Sequence, residues 1–240
     1  MIDMHVHFLP EIDDGAKNVE DTFQMIQEAQ EAGFTGLVST SHYIKDTYFT
    51  TQYERTQILT ALRHILEEKN SPITLYNGAE IYIDEDMLEG IENGTIPKIN
   101  HSRYVLMEWP MRQKMLATGD LITQLLDHGL IPIIAHPERY EYVQNNIDCL
   151  QEYLDKGVLF QSNYSSLIGR YGIPAKKTVI KLLQNGMVHC LGSDCHRPNS
   201  VYKQMDKIMK QLSKVISDEE IELLTNLNPM KILNNQILES

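Results

Sequence analysis

The stretch HCLGSDCHR, residues 189–197, could do chemistry in two ways. A cysteine ahead of an arginine suggests a thiolate phosphatase, whose loop needs C-x5-R spacing so that thiolate and guanidinium grip one phosphate. Cys190 to Arg197 is C-x6-R, one residue too long, and Cys195 stands two residues from Arg197, too close. Cys149 has no arginine in register. Cys190 also sits inside an apolar run, where a thiol is inert. The same stretch holds Asp194 and His196, a D-x-H pair of metal-ligand types. Cys195 between them reads as a spacer that aims both.

Other ligand types recur along the chain: the H-x-H pair His5 and His7, the paired acids Asp13 and Asp14, then His42, Glu80, Glu108 and His136. Their positions depend on the elements that carry them. Strand-like runs cover 2–6, 34–40, 73–80, 104–109, 130–136, 158–163 and 188–194. Helical spacing covers 19–33, closed by Gly33, then 51–69, 118–129 with Gly129 as its stop, 142–157, and 174–186 between Pro174 and Gly186. The tail from about residue 200 reads as helical. About seven β-α units result. The strands are apolar without alternation, as expected when both faces are buried. A parallel α/β barrel follows, with a doubly wound open sheet as the alternative.

In a parallel barrel the carboxyl ends of all strands share one rim. His5, His7, His42, Glu80, Glu108, His136, Asp194 and His196 all fall at strand ends, and Asp14 can reach them. His64, His101, His128 and His189 lie elsewhere and read as structural or solvated. Six of the seven strands end in histidine, aspartate or glutamate, so a metal centre is expected. No thiolate cluster is present, which argues against structural zinc. Imidazole mixed with carboxylate suits Mn²⁺, Fe or Zn²⁺. So many ligands imply two or three ions, with Glu80 a candidate bridge.

The 240 residues fit one barrel domain, 1–240. The chain is 42% hydrophobic and 22% charged, a globular composition, with no apolar run long enough for a membrane span. MIDMHVHFLP has neither a basic nor a long apolar segment, so no signal peptide is expected. Three cysteines make no even framework, and reduced thiols in a cytoplasmic protein are the simple expectation. A formal charge of −12 argues against nucleic acid or anionic lipid as partner.

The H-x-H start, the strand-end Glu80, AHPER and SDCH resemble the PHP (polymerase and histidinol phosphatase) superfamily. MIDMHVHFLPEIDDGAKN, TSHY, NGAEIY, EWP and AHPERY resemble its CpsB/YwqE branch, from residue 1 to about 200. Those are bacterial manganese-dependent protein-tyrosine phosphatases of capsule and exopolysaccharide synthesis. The resemblance implies a distorted (β/α)7 TIM-like barrel with its metal site at the C-terminal ends of the strands. It implies that His5, His7, Glu80 and Asp194 hold one ion, that Glu80, Glu108 and His136 hold a second, and that Asp14, His42 and His196 hold a third. Asp14 and Glu108 depart from the wider superfamily, where histidine is common, and this weakens a histidinol-phosphate reading. The implied substrate is a phosphotyrosine cluster on the tail of a partner bacterial tyrosine kinase.

The chemistry expected of such a site is in-line attack on phosphorus by a metal-activated hydroxide, with no cysteine nucleophile. Arg139, three residues after His136, is the first candidate to clamp phosphate, and Arg197 the second. Asp14 or His42 could protonate the leaving phenolate. Tyr43 and Tyr140 adjoin candidate ligands and could line a phenyl pocket. Competing readings are a PHP-type phosphoesterase for a small phosphate ester and a non-catalytic metal-binding regulator of the kinase. An amidohydrolase fits less well, because the fourth strand ends in Glu108 and the sixth in QSNY.

Overall fold

Short apolar runs form the strands, and every strand pairing among the described residues is parallel. The computed structural model describes residues 1–113 and 118–238. The strands are β1 (Ile2–Val6), β2 (Gly36–Ser39), β3 (His42–Tyr43), β4 (Thr74–Tyr76), β5 (Glu80–Tyr82), β6 (Tyr104–Glu108), β7 (Ile131–Ala135), β8 (Leu159–Asn163) and β9 (Cys190–Gly192). One sheet runs β1-β2-β4 and the other β3-β5-β6-β7-β8-β9.

Two expected strands are each broken. The 34–40 run gives way to β3 after Ser41, and the 73–80 run divides into β4 and β5. The second break falls at residues 77–79. A Cβ on Gly78 would lie 2.9 Å from Ile99 Cδ1 and 3.1 Å from Ser39 O, so the crossing needs a glycine. Glu80 N still donates to Thr40 O across the break (3.0 Å). On the far side, Asp194 N donates to His5 O (2.7 Å) and His7 N to Cys195 O (3.0 Å), tying β1 to the segment after β9. The parallel sheet therefore curls, with its strand ends turned toward one rim.

Helices cover the outside: α1 (Val19–Glu31), α2 (Gln52–Glu68), α3 (Met87–Glu92), α4 (Thr118–Asp127), α5 (Glu141–Asn145), α6 (Gln151–Leu154), α7 (Gly172–Gln184), α8 (Met205–Leu212), α9 (Asp218–Glu222) and α10 (Asn228–Leu233). α1 starts where Asn18 accepts from Asp21 N, and α2 starts on a capping box of Thr51 and Glu54. The helix expected over 142–157 is interrupted. Asn146 is extended and caps a short 3₁₀ turn through Asp148 N, which separates α5 from α6.

Two apolar layers result. Val105, Met107 and Ile134 join the larger cluster with helix residues such as Met25, Leu59 and Val179. Ile2, Met4, Leu106, Ile133 and Ala135 form an inner cluster that α10 plugs with Ile232 and Leu233. The tail is thus part of the core. Tyr104 OH donates to Gln236 O and Asn228 Nδ2 to His189 O. β1 changes sides along its length: Met4 is in the inner cluster and Val6 in the outer one. Its register against β2 shifts between Asp3 and Val6, as at a bulge, and this irregularity re-aims the strand where it delivers His5 and His7.

Candidate metal centre and active site

All nine sequence candidates come to one place, though not all from strand ends: His5 lies inside β1, His42 and Glu80 open β3 and β5 after the breaks, Glu108 closes β6, and the others stand in segments that follow strands. Glu80, from β5, is at the middle. Its Oε2 lies 3.2 Å from His5 Nε2, 3.4 Å from His7 Nε2 and 3.1 Å from His42 Nδ1. Its Oε1 lies 2.8 Å from His136 Nε2. Asp194 Oδ1 stands 3.7 Å from both His5 and His7 and 3.5 Å from His196 Nδ1. Asp14 Oδ1 is 3.5 Å from His196 Nε2 and 3.7 Å from His42 Nε2. Glu108 is 3.8 Å from His136. Among the described residues, three groups are compact enough to share a cation: His7, Asp14, His42 and His196; His5, His7 and Glu80; and His42, Glu80 and Glu108. Only the second lies within one expected set. His7 and His42 each belong to two of these groups, since each imidazole lies between carboxylates from different segments.

The donor chemistry fits divalent cations. Among the described residues, Glu80 Oε2, His42 Nδ1 and His136 Nδ1 are buried and form no well-directed hydrogen bond, although the first two lie 3.1 Å apart. Such atoms are costly in a dry interior unless something positive or polar meets them. Burial and then the charge of Glu80 push the Glu108 carboxyl upward, so the acids repel one another without a cation between them. Burial and then Arg139 lower the His136 imidazole to about 4, which keeps it neutral, the form that binds metal. Burial raises the Asp194 carboxyl, but the charges of His5 and Arg139 outweigh it and hold the group low. A hydrogen bond from His196 holds Asp14 low, and burial lowers His42. Both shifts suit ligands better than proton donors.

Outer contacts aim the inner ones. His7 Nδ1 meets Asp13 Oδ2 at 2.8 Å, and the same carboxylate accepts from His42 N (2.7 Å) and Gly15 N (2.9 Å). Asp13 is therefore a support, while its neighbour Asp14 faces the site. His5 Nδ1 meets Gln161 Oε1 at 2.7 Å. Such partners set which ring nitrogen faces a metal. Asn163 and Tyr171 donate to Asp194 Oδ2 at 2.8 and 3.0 Å. Arg55 of α2 is wholly buried and donates to the carbonyls of Ser41, His42 and Thr50, pinning the segment that carries His42. Gly192 leaves room for His5, since a Cβ there would lie 2.4 Å from His5 Cβ. His136 (φ 36) and Asp194 (φ 53) hold left-handed backbone, a strain that concentrates at functional sites.

These residues open into a pocket of about 430 Å³. Arg139 donates to Asp194 Oδ2 (2.9 Å), and its guanidinium lies 4.5 Å over the Tyr171 ring. Arg197 also lines the pocket, but its Nη1 already bonds the carbonyls of Asp14, Gly15 and His196. That nitrogen holds the Asp14 loop, which leaves Nε and Nη2 of Arg197 to face an anion. Tyr140 is wholly buried and bonded to Ala135 O and Trp109 N, so it lines no pocket. Tyr43 faces a separate hollow with Lys45 and Asp86. Ile44, Tyr48 and Tyr82 take the expected place as apolar lining. Tyr48 sits parallel to His42, with ring centroids 6.1 Å apart, at the end of a hairpin closed by reciprocal bonds with Ile44.

Cys190 and Cys195 are both buried. Burial pushes the Cys190 thiol far upward and the Cys195 thiol to about 11. Cys195 Sγ contacts Arg197 O and Ser200 Oγ, turned from the ligands. Neither thiol is placed or ionised as a nucleophile.

A curled parallel sheet bearing imidazoles and carboxylates at one rim defines a metallohydrolase-type site. The family described as "Capsular polysaccharide synthesis, CpsB/CapC" matches residues 1–234, and the chain belongs to that family. A CapC protein of Staphylococcus aureus is 33% identical over 238 residues, covering 92% of this chain and 93% of its own length. "Tyrosine-protein phosphatase CpsB" of Streptococcus pneumoniae is 30% identical, covering 99% of this chain and all of its own. A solved structure described under YwqE of Bacillus subtilis and CpsB of Streptococcus pneumoniae, "unique metal-dependent tyrosine phosphatases", superposes with a TM-score of 0.92 at 27% identity. That match covers 100% of this chain and 96% of the other.

Proposed function

We propose that this chain is a metal-dependent protein-tyrosine phosphatase serving capsule or exopolysaccharide synthesis, with the phosphotyrosine tail of a cognate tyrosine kinase as substrate. One observation carries the reading: a dense imidazole–carboxylate rim shares its pocket with a guanidinium, Arg139, and a wall of Ile44 and the aromatic rings of Tyr48 and Tyr82. A phosphotyrosyl group is an anion on an aromatic ring, and the pocket offers a partner for each part. The domain is read as one (β/α)7 barrel, 1–240, of which 114–117 and 239–240 lie outside the described residues. Its seven staves are β1, β2 with β3, β4 with β5, and β6 to β9. The setting is cytoplasmic, and no described helix is long and apolar enough to cross a membrane.

His5, His7, Asp14, His42, Glu80, Glu108, His136, Asp194 and His196 would hold two or three Mn²⁺ ions, with Fe or Zn²⁺ as alternatives. Bound ions supply Lewis acidity and a water acidified toward neutrality. Asp194 and the Tyr171 ring hold Arg139 in place, so its guanidinium is preorganised for the non-bridging phosphate oxygens. Tyr48 and Ile44 flank the phenyl ring. The phenolate, with a solution pKa of about 10, leaves with little proton help. The test is hydrolysis of phosphotyrosine and phosphoserine peptides with Mn²⁺, with chelator, and after thiol alkylation, repeated with Cys195→Ser. Activity that needs metal, survives alkylation and the substitution, and prefers phosphotyrosine is expected. Activity lost on alkylation and kept under chelation would overturn the reading.

A further inference from the structure

Three arginines line the pocket: Arg139, Arg170 and Arg197. Arg139 is bonded to Asp194, and Arg197 is bonded to loop carbonyls. Arg170 is exposed, and its side chain has no hydrogen bond or ion pair among the described residues. It is nevertheless held in place through its backbone. Arg170 N donates to Ser165 O (3.2 Å) and Gly172 N to Gly169 O (3.0 Å). Gly169 (φ 82) and Gly172 (φ 92) make the sharp turns that few other residues allow. Between them the chain sends Tyr171 inward, where its hydroxyl meets Asp194 and its ring carries the Arg139 guanidinium. Arg170 is thus the chain neighbour of the residue that supports the phosphate clamp, on the same side of the mouth. The aromatic lining comes from the β3 and β5 loops, at the other end of the six-stranded sheet.

We infer that Arg170 forms a second anion subsite, which receives a carboxylate or phosphate beside the phosphotyrosine in an acidic peptide. The inference rests on the phosphatase reading above and adds the substrate's flanking chemistry. A chain with formal charge −12 repels a polyanionic peptide, and an unpaired guanidinium at the mouth offsets that locally. Its planar fork suits both carboxylate and phosphate. The side chain is solvated, so its contribution is that of an exposed charge pair, about threefold to fivefold in kcat/KM, and declines as salt rises.

Three peptides test this. All share one sequence around a target phosphotyrosine, whose flanking residue is glutamine, glutamate or a second phosphotyrosine. Phenyl phosphate serves as a minimal substrate. The Mn²⁺-loaded wild type is compared with Arg170→Gln and Arg170→Lys. The wild type is expected to prefer the glutamate or phosphotyrosine flank over glutamine by about threefold to fivefold, and the favoured arm identifies the anion. Arg170→Gln should flatten the preference and Arg170→Lys retain part of it. A wild type without preference, a preference intact in Arg170→Gln, or an equal loss on all three peptides would each overturn the subsite. A wild type inert even on phenyl phosphate would instead overturn the phosphatase reading on which the subsite rests.

Discussion

Replacing Asp13 by asparagine would test whether the metal centre depends on its outer support. The Asp13 carboxylate accepts from three donors: His7 Nδ1 and His42 N on Oδ2, and Gly15 N on Oδ1. Asparagine keeps the shape but offers one acceptor oxygen. With its amide nitrogen at the Oδ1 position, Gly15 N–H faces a donor. With the nitrogen at the Oδ2 position, His42 N–H does, and His7 Nδ1 must become an acceptor. Its proton then sits on Nε2, the nitrogen that faces Glu80, and blocks metal binding there. One unmet buried donor costs about 1–3 kcal/mol. Losing the partner of a ligating histidine typically weakens metal binding about 10- to 100-fold, or about 1.4–2.7 kcal/mol. The assay is calorimetric titration of metal-stripped wild type and Asp13→Asn with Mn²⁺ at one pH, with melting curves of both stripped proteins alongside. The expected result is a Kd raised at least tenfold in a protein that still melts cooperatively. A folded variant binding within twofold of wild type would show that Asp13 does not set the ligand geometry.

Gly192→Ala should force His5 aside, because the new Cβ would lie 2.4 Å from His5 Cβ and 2.8 Å from Gln161 Nε2. Overpacking of this kind costs about 1–3 kcal/mol. A small displacement of a ligand should lower phosphatase activity about 100-fold, read by rate assay beside a melting curve; wild-type activity would mean that the strand absorbs the methyl group. Acid should destabilise the protein partly through His189, whose imidazole burial lowers to about 4 and whose Nδ1 accepts from Phe160 N. The folded state binds this proton less readily than the unfolded chain, so the contribution is complete above about pH 6.5 and is lost as pH falls toward 4. Between pH 7 and 5 the wild type should lose about 2 kcal/mol more than His189→Gln in urea unfolding; equal losses would remove His189 from the acid response.

The convergence of these candidates could be anticipated from the apolar runs they border. Glu108, His136 and Asp194 stand at or just after strand ends, and parallel strands deliver their carboxyl ends to one rim whatever their order in the sheet; His42 and Glu80 reach the same rim only because their runs break and they open β3 and β5. The thiol could likewise be dismissed by spacing. Gln161 and Asn163 were less visible, because QSNY holds no charged ligand type. Their signal was amide side chains at the rim end of a buried strand, where only a polar partner would tolerate them.

Periodicity reports which residues are apolar and how often, so it located the strands and helices. It carries no information on the direction of a side chain leaving a loop or a strained turn. Folding supplied that information: the shifted register of β1, the left-handed backbone at His136 and Asp194, and the hairpin that offers Tyr48 in place of Tyr43. Long-range contacts also gave Arg197 to the carbonyls of Asp14 and Gly15 and drew the tail into the barrel end through Ile232 and Leu233. Ligand types follow from local chemistry. Which atoms meet depends on contacts between segments far apart in the chain, and those exist only once the sheet has curled.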